Sequence, residues 1–99
     1  MKLTVKDIEL IINQHILHLA NINPNKQNKK IDVLEGLLYR SSGISDYKMI
    51  FKIIYDYRGE IIKNVPVDSI KLLALDEVEY SIIRCSKYRT IEAYFDKLF

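Results

Sequence analysis

Two histidines three residues apart, His15 and His18, have the spacing at which one helix can offer two imidazoles to a single metal ion. Cys85 would be the remaining soft ligand, but nothing in the sequence brings it near them. His15 falls within an apolar stripe, so a hydrogen-bonded core histidine accounts for it, and the sequence predicts neither metal nor cofactor. A Cys–His nucleophile pair needs the same unsupported approach, whereas Cys85 at apolar helical spacing reads as a small core residue. Asp76, Glu77 and Glu79 are acidic together, the pattern of a solvated face. Gly36, Gly43 and Gly59 are too scattered to cradle a phosphate. No constellation converges on catalysis, and the expectation is a protein that is not an enzyme.

Binding chemistry has more support. Arg84 to Arg89, R-C-S-K-Y-R, is the densest basic stretch, and Arg84, Lys87, Tyr88 and Arg89 could meet an acidic partner or phosphates. Leu38 to Ile54, L-Y-R-S-S-G-I-S-D-Y-K-M-I-F-K-I-I, resembles a helix-turn-helix, with Gly43, Ile44, Ser45 and Met49 in matching places. In that resemblance Gly43 takes the positive φ of the turn, Ile44 plugs the inter-helix core and Ser45 caps the reading helix. It implies a DNA-binding regulator using Ser45, Lys48, Lys52, Arg84, Lys87 and Arg89. Tyr39 and Lys52 depart from the pattern, standing where a small and an apolar residue are usual. Asp68-Ser69-Ile70-Lys71 resembles the phosphopantetheine-accepting motif of carrier proteins, and Thr90 to Leu98 is similar to their last helix. An Asp cap followed by Ser explains the same letters.

The elements that must position these groups follow from apolar periodicity. Thr4, with Asp7 as a capping-box partner, starts a first helix running to about Ala20. Val5, Ile8, Ile12, Ile16 and Leu19 form its buried stripe. Leu10 and Leu17, seven residues apart, lie off that stripe and mark a second contact surface, suited to a protein partner or to homodimerisation. Asn21 to Lys30 reads as a solvated loop. Asn28 to Ser41 makes a second helix with Ile31, Leu34, Leu37 and Leu38 inward, interrupted by Gly36 at a close crossing or as a tolerated flaw.

Residues 46–58 are apolar over most of a helical circumference, with Lys48, Lys52 and Asp56 as the polar line. Such a helix is expected at the centre of the bundle, capped by Ser45 or Asp46 and ended by Gly59. Residues 60–66 suggest a short extended segment or an irregular crossover. Asp68 caps a further helix whose register shifts near Asp76, predicting a kink or break, and Thr90 caps a last helix.

The 99 residues and a 48% hydrophobic content suit one folded domain spanning 1–99. A formal charge of +2 does not by itself call for nucleic acid or anionic lipid. One cysteine excludes an intrachain disulfide and fits a reducing, cytoplasmic setting. No apolar run approaches the roughly 20 residues needed to span a bilayer, so no membrane association is expected. The reading is an all-α, compact bundle of about five helices around a central helix at 46–58. Its expected role is a small non-catalytic regulatory or inhibitory module that binds another protein through Leu10, Leu17, Arg84, Lys87, Tyr88 and Arg89. Size and composition fit an origin in a phage or other mobile element. The DNA-binding regulator is the alternative, and the carrier-like domain the third.

Overall fold

The computed structural model describes residues 3–22 and 29–85. Among them the chain forms four α-helices and no strand: α1 (Val5–Ile22), α2 (Lys29–Ser41), α3 (Met49–Lys63) and α4 (Ser69–Cys85). The fifth helix expected from Thr90 onward lies outside the described residues. The all-helical class holds.

α1 begins as its sequence dictates. The Thr4 N–H donates to Asp7 Oδ2 at 2.8 Å, and the Asp7 N–H donates to Thr4 Oγ1 at 3.2 Å. This reciprocal pair satisfies two otherwise orphaned donors. Ile8, Ile11, Ile12 and His15 are its buried face. α2 buries Val33, Leu34 and Leu37.

α3 departs from expectation at both ends. Residues 45–48 form a tight turn in which Met49, Ile50 and Phe51 N–H groups donate to the carbonyls of Asp46, Tyr47 and Lys48. Backbone acceptors three residues back thus satisfy the first turn, so no side chain caps it. Ser45 Oγ instead lies 3.7 Å from Met49 Sδ, and Asp46 Oδ1 accepts from the Lys48 N–H.

The helix also runs through Gly59 to Lys63, and the extended segment expected at 60–66 is reduced to a bend at 64–66. The reason is Ile61, which joins the core. Burying an isoleucine is worth roughly 1.5–3 kcal/mol, more than the roughly 1 kcal/mol a helical glycine costs.

Nor is α3 covered on nearly all sides. Ile50, Ile54 and Ile61 are buried and Phe51, Ile53 and Tyr57 pack at the margin, but Tyr55 is 72% exposed and Met49 and Ile62 are also exposed. α2 and α4 each pack against all three other helices, and their mutual contact is the most extensive.

α4 is continuous where a kink was expected. Ala74, Leu75, Val78, Ser81, Ile82 and Cys85 form one unbroken buried stripe. The apparent register shift arises because Ile70 and Leu73, apolar by type, point outward, while Ser81, polar by type, points in. Asp68 caps this helix, its Oδ1 accepting from the N–H groups of Ile70 and Lys71, and Lys29 holds its carboxyl below the usual carboxylate range.

Two glycines in helices test this packing. A Cβ on Gly36 would stand 2.6 Å from the Tyr57 hydroxyl, whereas one on Gly59 would meet nothing within 4 Å. Gly36 therefore permits the α2–α3 crossing. Gly59→Ala is expected to raise stability by about 1 kcal/mol, through helix propensity alone. Gly36→Ala is expected to destabilise, and to do so less in a Tyr57→Phe background, which removes the closest atom. Urea unfolding of the single and double variants checks both.

Candidate functional site

Three surfaces carry the residues singled out by sequence. On α1, Leu10 and Leu17 are both exposed on the face opposite the core, Leu17 by 56%. On α4, Arg84 is exposed beside Tyr80, its guanidinium carbon 5.5 Å from the ring centroid. Lys87, Tyr88 and Arg89 lie outside the described residues. In the α2–α3 turn and on α3, Ser45, Lys48 and Lys52 are all exposed.

The turn itself partly follows the helix-turn-helix pattern. Gly43 has φ 88°, the left-handed conformation a tight turn requires, and Ile44 packs against the core. Tyr39 points to solvent, so its bulk does not enter the helix crossing. Ser45 departs from the pattern: it does not cap α3 but borders a cleft of about 350 Å³ with Leu3, Thr4 and Val5.

The outer face of α3 carries a trough among these exposed positions. Lys48, Lys52, Tyr55, Gly59, Ile62 and Lys63 fall on one side at helical spacing. Gly59 has no side chain, so Tyr55 and Ile62 stand as walls of an open trough of about 480 Å³ that Asp56, Arg58, Glu60 and Lys63 also border. Arg58 is occupied, reaching Asp76 at 2.5 Å and Glu79 at 3.6 Å on α4. On the other flank Arg40 of α2 stacks 3.9 Å over the Tyr57 ring and bonds Glu60 at 2.6 Å. Sequence reading named the two lysines but missed Gly59, which it took for a helix end. Its signal was the continuation of apolar spacing from Ile54 to Ile61.

The groups with catalytic potential are placed differently. His15 Nε2 and Ser81 Oγ share a hydrogen bond of 2.7 Å across the α1–α4 interface. That is the distance of an activated hydroxyl, yet His15 is 7% exposed and Ser81 5%. With both groups almost sealed, the arrangement serves as a core hydrogen bond, which satisfies two polar groups in an apolar setting. Sequence reading had placed His15 in the core correctly; its partner was not legible.

Among the described residues no group of three potential metal ligands converges. The Cys85 thiol is buried and pushed up to about 11, chiefly by desolvation and secondarily by Asp7, so it stays protonated at neutral pH. Lys29 and Lys30, expected in open solvent, are instead tied to α4 through Asp68 at 3.1 Å and Glu77 at 2.8 Å. Ser69 is the exposed first residue of α4, following the Asp68 cap.

Burial holds the His15 imidazole below its usual 6.5; Glu77 opposes this, and His18 and Lys30 reinforce it. The folded protein therefore takes up that proton less readily than the unfolded chain. Above about pH 6.5 both states are neutral and nothing is lost; as pH falls below that value, the unfolded chain protonates first and folding stability declines. Denaturation midpoints are expected to fall between pH 7 and 5, with a shallower slope in His15→Gln. Ser81→Ala is expected to cost about 1–3 kcal/mol by removing the hydroxyl that His15 Nε2 bonds in the core, with a pH slope remaining. Comparison with family models, curated proteins and solved structures returns no match.

Proposed function

We propose that this chain is a small non-catalytic module that regulates or inhibits another protein by binding it. The observation that carries the reading is the distribution of large apolar side chains over the described surface. Leu10 and Leu17 on α1 and Tyr55 and Ile62 on α3 stand in solvent at helical spacing, where no partner within the described fold covers them. A spaced pair on each of two helix faces is the form in which helical domains present anchors to partners. Tyr55 adds a large amphipathic surface that loses little conformational entropy on contact. His15 and Ser81, the pair nearest to a catalytic geometry, are engaged with each other inside the core.

A second reading has its own support. Lys48 and Lys52 lie on an open face of α3 that follows a positive-φ glycine turn, which suits a DNA-binding regulator. Exposed Tyr55 and Ile62 on the same face favour protein over a phosphate-lined groove.

Affinity capture from source cells is expected to retain a protein on the wild-type chain. That protein should be lost from Leu10→Lys/Leu17→Lys or from Tyr55→Lys, with both variants melting as cooperatively as the wild type. Fluorescence anisotropy with mixed-sequence duplex DNA decides the second reading. Binding whose salt slope falls by about 2 in Lys48→Ala/Lys52→Ala would make DNA the ligand; no binding at low salt would leave the protein partner.

A further inference from the structure

We propose that the trough on the outer face of α3 receives an acidic amphipathic helix from a partner protein. This rests on the protein-binding reading and names the surface and the chemistry of its occupant.

The first argument is the cost of Gly59. A glycine inside an exposed helix is unfavourable, and Gly36 shows how a fold can require one: a Cβ there would strike Tyr57. Gly59 has no such internal reason, since nothing lies within 4 Å of where its Cβ would be and its φ is not positive. Its consequence is external. The missing side chain opens the space between Tyr55 and Ile62 that makes the trough. Tyr55, Gly59 and Ile62 stand at i, i+4 and i+7, the spacing at which a second helix sets an apolar side chain between ridges. The trough is built from one helix face, with no sheet edge to recruit an extended peptide.

The second argument is charge. Arg40, Arg58, Lys29 and Lys30 are each bound to carboxylates on neighbouring helices. Lys48, Lys52 and Lys63, on the face that carries the trough, take part in no ion pair among the described residues. Of the carboxylates beside them, Glu60 is held by Arg40, and Asp46 and Asp56 oppose three lysines. The face is therefore apolar at its centre and carries a lysine outside any ion pair toward each end. Lys52 and Lys63 are about 16 Å apart along the axis, so a partner helix of about three turns would place an apolar residue at Gly59 and carboxylates over both lysines. Complementarity of this kind fixes the orientation and favours encounter.

The test is selection from a displayed library of helical peptides of about 20 residues against the whole protein, followed by calorimetric titration of the winners. Winners are expected to carry apolar residues at i, i+3 or i+4, and i+7, flanked by Glu or Asp. Gly59→Trp should weaken them at least tenfold while leaving the thermal melt cooperative, because the added side chain projects into open space. Lys52→Glu/Lys63→Glu should weaken them similarly, and peptides with their acids changed to Lys should regain affinity for that variant.

Neutral or basic winners, or no enrichment at all, would overturn the proposal. Winners displaced by Leu10→Lys/Leu17→Lys but not by Gly59→Trp would also overturn it, while leaving the protein-binding reading intact. A dimer in sedimentation equilibrium that Gly59→Trp disrupts would assign the trough to a second copy of the chain. Displacement of the peptides by duplex DNA at physiological salt, lost in Lys48→Ala/Lys52→Ala, would overturn both readings.

Discussion

One face of α4 has to serve three neighbours at once. Ala74, Leu75, Val78, Ile82 and Cys85 are almost wholly removed from solvent, and α1, α2 and α3 all pack on this helix. A straight, unbroken α4 is the condition for that, because a kink at Asp76 would turn half the stripe away from one neighbour. Asp68 fixes the start of the helix, and Arg58 holds its middle to α3 through Asp76 and Glu79. Lys29 and Lys30 tie the start of α2 to the same helix. Exposed ion pairs of this kind contribute little each. Their value here is positional: they join three helices around the apolar seam, whose burial supplies the stability.

The polar exception in that seam is the His15–Ser81 bond. Each group alone would be costly to bury; together they satisfy one another. The pair links α1 to α4 at a single register, since a shift of one residue would leave a ring nitrogen and a hydroxyl facing hydrocarbon. Stability is thereby coupled to a titrating group, a property that a purely apolar contact would not confer.

α3 shows how packing and surface divide one helix. Its inner side is held by Ile50, Ile54 and Ile61, and its flank by the Tyr57 ring under Arg40 against Gly36. Phe51 and Ile53 pack at the margin, and the face that carries Lys52, Tyr55 and Ile62 is left to solvent among the described residues. The two glycines mark the division. Gly36 admits another part of the same fold, and Gly59 leaves space with nothing of the described fold in it.

Much of the local structure was legible from residue order. The Thr4–Asp7 capping box, the Asp68 cap and the Gly43 turn depend on contacts within a few residues, and apolar spacing picks out most of the α1 stripe and the outward Leu10/Leu17 pair, whereas on α2 it named Ile31 and Leu38 where Val33 is the buried residue. The errors share one cause. Local propensity makes Gly59 a stop, residues 60–63 extended and α4 broken, because it does not register the burial available at Ile61 and Ser81. That burial is decided by helices distant in sequence. The same holds for the pairing of Lys29 and Lys30 with α4 and for the trough on α3. The sequence by itself determined an all-helical chain and where most helices begin. Only tertiary packing decided which side of α3 faces water, because an apolar residue can be core or surface until a neighbouring helix takes its place beside it.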